Sequence, residues 1–114
     1  HTGSGTCWGE ENTCAPMTFL SVLQDFIETR HKEMPEGSYT TSLFKDGINR
    51  MAQKVGEEAL ETVIEAVNGS NDRMKYEAAD MLYHLIVLLT EKGMRIEQIA
   101  EELRNRHNPG WHKH

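Results

Sequence analysis

The sequence predicts an all-α domain, a bundle of about four helices completed by dimerisation. Three observations lead there. Apolar residues recur at three- and four-residue spacing in successive stretches, and acidic residues cluster at the same spacing. The longest apolar run, "MLYHLIVLL", suits a buried helix and falls well short of the roughly 20 residues a membrane span needs. Two helices of about twenty residues, one of them apolar nearly all round, expose more apolar surface than two short helices can cover, so a second copy is expected.

The opening stretch, "HTGSGTCWGEENTCAP", is rich in Gly, Ser, Thr and Asn and reads as a linker over residues 1–16. Both cysteines, Cys7 and Cys14, lie in it, which leaves no disulfide framework for the helical body and makes a reducing cytoplasm the simpler expectation. A lone Cys-x6-Cys pattern, without further thiols or a paired His-x-x-x-His, is weak ground for zinc. The chain begins with His1 and not Met, as expected of a fragment or a processed product.

After Pro16, Phe19, Leu20, Leu23, Phe26 and Ile27 stand at helical spacing, with Thr18 as N-cap and an end before Pro35. "PEGSYTTSLFKDG" reads as a loop of about a dozen residues, a length often functional in compact domains. A second helix is expected from about Ile48 to Val67, closed by Asn68-Gly69. Its apolar face carries Met51, Val55, Ala59, Val63 and Ala66, and the opposite arc Lys54, Glu57, Glu58, Glu61 and Glu65. A third helix, capped by Asn71 or Asp72, should reach about Glu91 before Gly93, with Met74, Ala78, Met81, Leu82, Leu85 and Leu89 on its apolar face. A short fourth, from Ile96 to about Arg106, contributes Ile99 and Leu103. The domain thus spans 17–107, and the tail at 108–114 is expected to be disordered.

The formal net charge of −6 and the absence of a basic stripe argue against nonspecific nucleic-acid binding. A phosphorylated small molecule fits such a chain only with a cation between the two. The acidic clusters supply a place for one. Glu57 with Glu61, Glu58 with Glu61, and Glu77 with Asp80 share helical faces on adjacent turns, and hard oxygen donors in such pairs suit Mg²⁺. A solvated face is the alternative. Because Arg73 and Lys75 are the only Lys or Arg between Glu57 and Glu77, the first cluster is expected to lack a basic partner, a standing repulsion that a cation would relieve. Asp80, one residue before "MLYHLIVLL", carries a desolvation cost if buried. His84, one turn later on the same face, reads as a satisfied core histidine, with a supporting role behind Asp80 as the alternative. Lys45, Arg50 and Lys54 precede the stripe, and with Ser38, Thr40 and Thr41 they are candidates to meet phosphate oxygens.

The ordered succession "PEGSYTTSLFKDG", "AQKVGEEALETVIEA" and "EAADMLYHLIVLL" closely resembles phosphoribosyl-ATP pyrophosphatase, a family within the all-α MazG-like nucleotide pyrophosphohydrolases, from Met17 to near Arg106. "HTGSGTCWG" looks like the C-terminal end of a phosphoribosyl-AMP cyclohydrolase whose zinc motif is cut, with Cys7 an orphaned ligand and no zinc expected. The resemblance implies the pyrophosphatase part of a bifunctional bacterial protein, a homodimer acting in the cytoplasm on a small nucleotide, with no nucleic acid or membrane as partner. It implies Mg²⁺-dependent hydrolysis of phosphoribosyl-ATP to phosphoribosyl-AMP and pyrophosphate, the second step of histidine biosynthesis. Glu57, Glu58, Glu61, Glu77 and Asp80 match the family's acidic positions and would hold the metal. Glu58 or Glu61 would be the base, and Lys54, with Lys45 or Arg50, would stabilise the departing pyrophosphate. A MazG-like housecleaning enzyme and a noncatalytic dimerising module are the competing readings.

Overall fold

The computed structural model describes residues 15–107. The linker cysteines and the tail from residue 108 onward lie outside the described residues. Among the described residues there are five helices and no strand: α1 (Pro16–Glu33), α2 (Tyr39–Asp46), α3 (Ile48–Asn68), α4 (Asn71–Glu91) and α5 (Ile96–Asn105). None is long and apolar enough to cross a membrane.

α3 and α4 form the frame. Each has 21 residues, only Gly69 and Ser70 separate them, and they pack along one another as a helical hairpin. Ser70 caps α4 by accepting from the Arg73 N–H at 3.1 Å, one residue earlier than the sequence indicates. α1 packs on α4, α2 against α1 and α3, and α5 against α1. The core where they meet is Ile27, Leu43, Phe44, Met51, Ile86 and Val87, supported by Leu20, Leu23, Leu82, Tyr83 and Ile96.

The expected loop after Pro35 is largely helical. Ser38, extended and accepting from the Thr41 N–H at 3.3 Å, starts α2, which buries Thr40, Thr41, Leu43 and Phe44. Turn-like composition hid this two-turn helix. Its apolar residues are too few to declare a period, and tertiary burial of Leu43 and Phe44 holds it in place. α1 also begins earlier than expected, at Pro16, with Ala15 in the cap position and no side-chain cap, so Thr18 is an ordinary exposed helical residue.

On α3 the apolar face inferred from periodicity is only half used. Met51 is buried and Val55 and Ala59 are partly so, whereas Val63 and Ala66 are exposed. Leu60, Ile64 and Val67 are exposed as well, Val67 at 73%. The second buried residue of α3 is Glu58. Similarly, Met74 near the start of α4 is exposed, while the deepest apolar positions are Ile86 and Val87.

The far end of the bundle is pinned by polar contacts. Gln24 is fully buried, donating to Thr90 Oγ1 at 3.0 Å and to the Met94 carbonyl at 2.9 Å, and accepting from the Ile96 N–H at 2.6 Å. It thereby fixes α1, α4 and the start of α5 together. Arg95 pairs with Asp25 at 2.9 Å, Glu28 at 3.0 Å and Glu97 at 2.8 Å, and the bond to Arg95 holds the Glu97 carboxyl down at about 2. We expect Gln24→Leu to lower unfolding stability by about 2–3 kcal/mol, since it strands buried partners on two other segments, and chemical denaturation would measure the loss.

Candidate active site

The face that α3 and α4 turn toward α2 is the most polar part of the interior. Glu58, from the middle of α3, is 7% exposed, and His84, from α4, is 4% exposed. The His84 Nδ1 lies 2.8 Å from the Asp80 backbone carbonyl and 2.5 Å from Glu58 Oε1. A carbonyl only accepts, so Nδ1 carries a hydrogen whatever the charge of the ring. The Nδ1 hydrogen serves the Asp80 carbonyl. Glu58 Oε1 lies against the same nitrogen as an ion-pair contact, outside hydrogen-bond geometry. The other carboxylate oxygen lies 3.7 Å from Lys54 Nζ.

On the far side of the ring, Nε2 lies 2.8 Å from the Tyr39 hydroxyl. Tyr39 and Tyr83 meet the imidazole edge-on, and Tyr83 hydrogen-bonds Thr40. Tyr39 is half-exposed at the opening of this layer. Partial burial pushes its phenol up, and the charges of Lys54, Glu58 and Arg50 act on it. One short helix thus brings Tyr39 and Thr40 to residues from α3 and α4.

A second acidic group lies one turn along the hairpin. Glu77 is 8% exposed and accepts from Arg73 Nη2 at 3.2 Å. Its carboxyl is raised above the ordinary value, first by burial and then by sharing a hydrogen bond with the Glu61 carboxyl across the helix pair, with Asp80 adding to the repulsion and Arg73 opposing it. Glu61 and Glu77 therefore approach each other across the hairpin, Asp80 lies one turn beyond Glu77, and the Asp80 backbone carbonyl accepts from His84 Nδ1.

Glu57 stands apart. It is exposed, accepts from Gln53 Nε2 at 2.8 Å and lies 3.8 Å from Lys54. The expectation that Glu57 and Glu58 lack a basic partner is corrected here: Lys54 precedes them by three and four residues and reaches both, and Arg73 reaches Glu65 and Glu77. At 3.7–4.0 Å most of these pairs are loose and neutralise little. Lys45 lies elsewhere, in a cavity on the outer side of α2, and makes no ion pair among the described residues. His84 is both the satisfied core histidine and the neighbour of Asp80. Tyr39, Tyr83 and Arg73 were not legible as site residues, since no periodicity marks them. The one available signal was the position of Tyr39 inside "PEGSYT".

Among the described residues, no three acidic or histidine side chains are drawn into a ready coordination sphere. The donor chemistry nevertheless fits a hard divalent cation. One oxygen of buried Glu58 makes no hydrogen bond, and Glu61 and Glu77 approach closely enough to share a proton. A cation in that place would substitute for the shared proton and for Arg73.

An all-α hairpin with carboxylates approaching each other across two long helices, and a lysine at their edge, defines the class of the domain: a helical fold with an acidic site. Within that class, residues 20–107 match the model of the phosphoribosyl-ATP pyrophosphohydrolase family, and the chain belongs to it. It is 66% identical over 114 residues to the histidine biosynthesis bifunctional protein HisIE of Bacteroides thetaiotaomicron, covering 100% of this chain and 56% of that one. It is 42% identical over 112 residues to the HisIE protein of Bacillus subtilis, covering 95% and 54%. It is 46% identical over 92 residues to the phosphoribosyl-ATP pyrophosphatase of Leptospira biflexa, covering 81% of this chain and 100% of that protein. The chain spans about half the length of the bifunctional relatives.

Because Glu77 is protonated more readily when folded, it favours the fold at low pH and disfavours it as pH rises through its raised value. Without divalent cations, we expect melting temperature to fall with pH from the ordinary carboxylate range upward, and Glu77→Gln to flatten that slope in thermal scans across pH.

Proposed function

We propose that this chain hydrolyses phosphoribosyl-ATP to phosphoribosyl-AMP and pyrophosphate in the second step of histidine biosynthesis, with Mg²⁺, in the cytoplasm. In the full-length protein a cyclohydrolase domain would precede it. The observation that carries the reading is the approach of Glu61 on α3 to Glu77 on α4, with Asp80 one turn beyond Glu77 and buried Glu58 3.7 Å from Lys54. Family membership supplies the substrate.

Glu58, Glu77 and Asp80 would hold the metal, with Glu57 at the outer edge and Glu61 left outside the metal shell. When bound, Mg²⁺ neutralises the triphosphate and favours in-line attack of water at phosphorus. Glu58 is anchored by the packing of His84 and by Lys54, which suits a fixed ligand. Glu61 is exposed and suits the proton acceptor from the attacking water, since a base needs access to it. Lys54, partly buried, would meet the charge that grows on the departing pyrophosphate, and Arg50, near Tyr39, lies on the same side. Tyr39 donates to His84 Nε2 when the ring is neutral, which keeps the ring oriented toward Asp80 and Glu58.

The exposed apolar stripe Leu60, Val63, Ile64 and Val67 supports a homodimer, in which the unused half of the α3 face packs on a second copy. We expect Val63→Glu to shift the chain toward monomer in sedimentation, and a parent that sediments as a monomer at high concentration would exclude the dimer.

Pyrophosphate release from phosphoribosyl-ATP should require Mg²⁺ and fall by about 10²-fold or more in Glu61→Gln and Asp80→Asn. Mg²⁺ should also raise the melting temperature of the parent but not of the double variant. Equal turnover of ATP alone would instead mark a housecleaning triphosphatase, and an unchanged Mg²⁺ response in the double variant would exclude the metal site.

A further inference from the structure

Arg73, in the first turn of α4, is the cation paired with Glu77 among the described residues, and no step of the proposed hydrolysis uses it. Its Nη2 donates to Glu77 Oε2 at 3.2 Å, one helical turn away. Glu77 is 8% exposed, and a carboxylate at that depth needs an opposite charge or a proton. Both are at hand. The Glu61 carboxyl lies across the hairpin close enough to share a hydrogen, and Arg73 opposes the upward push that burial and Glu61 give the Glu77 carboxyl.

The same guanidinium has a second resting place. Its side chain is 57% exposed, Nε lies 4.0 Å from Glu65 Oε2 on α3, and Cζ stands 5.2 Å from the centre of the Tyr76 ring. Glu65 and Tyr76 already touch the group that Glu77 holds, so release of Glu77 needs a change of side-chain torsion and no unfolding. Helix stability does not account for the residue. A cation in the first turn opposes the helix dipole, where an acid would support it. A divalent metal and the guanidinium seek the same Glu77 oxygens, and two cations at one carboxylate repel each other.

We infer that Arg73 is a tethered competitor for the divalent cation, which holds Glu77 in the metal-free chain, yields it to the metal by resting on Glu65 and Tyr76, and so sets how much free metal the site requires. This rests on the function proposed above, in which Glu77 is a metal ligand. Coupling between two partners of one group is reciprocal, so the energy with which Arg73 holds Glu77 is subtracted from the binding of the metal. The tether also has a use between turnovers. Without it, Glu61 and Glu77 would meet their full repulsion whenever the metal left.

The test is a calorimetric titration of Mg²⁺ into the metal-free 114-residue chain, with Arg73→Gln, Arg73→Lys and Lys75→Gln beside the parent. Arg73→Gln should tighten Mg²⁺ binding about three- to tenfold, the range expected when a charge-assisted bond to a buried carboxylate is removed. It should also lower the melting temperature without metal and widen the rise that Mg²⁺ produces. Arg73→Lys keeps a cation on the same turn and should return the affinity toward that of the parent. Lys75 is exposed and stands on the other side of the helix from Glu77, so Lys75→Gln, with the same loss of charge, should change the affinity by less than about twofold. In ¹⁵N-labelled parent, saturating Mg²⁺ should shift the Arg73 side-chain Nε–H signal. An Arg73→Gln chain that binds Mg²⁺ no tighter overturns the inference, and so does an equal gain in Lys75→Gln, which would reduce the effect to net charge. A raised KM for phosphoribosyl-ATP with unchanged Mg²⁺ affinity also overturns it, by placing Arg73 on the substrate. A parent that takes up no Mg²⁺ defeats the metal reading first and this inference with it.

Discussion

Carboxylates facing one another across α3 and α4 are the constraint around which the molecule is arranged. Glu61 and Glu77 approach each other across the pair, and Glu58 is buried against His84 with one oxygen outside any hydrogen bond. Such an arrangement persists because the hairpin packs along its length and the core of Met51, Ile86 and Val87 lies just behind it. Apolar burial of this kind, worth about 1.5–3 kcal/mol for each large side chain, outweighs a local electrostatic cost.

α2 presents residues on two sides. Leu43 and Phe44 fasten it to the core. Tyr39 and Thr40 reach inward to His84 and Tyr83, and Ser38, Thr41, Ser42 and Lys45 line the outer cavity. The polar pins at Gln24 and Arg95 do comparable work at the opposite end, holding α5 to α1 although no α5 residue is fully buried. The remaining imbalance, the exposed apolar half of α3, belongs to the surface away from these pins.

Residue spacing by itself determined the all-α class, four of the five helices to within a few residues, and the acidic stripe, because period and charge are local properties read at three- and four-residue steps. The ordered motifs carried the family. Three things were decided only by the tertiary structure. α2 is a helix because Leu43 and Phe44 find a core, which turn-rich composition conceals. Glu58 is buried while Val63 is exposed, since which arc of α3 faces inward depends on where α2 and α4 sit, and the helical wheel does not contain that information. Tyr39 meets His84 across 45 residues of sequence and the outer cavity closes around Thr41, both contacts made by packing between elements that no local pattern encodes.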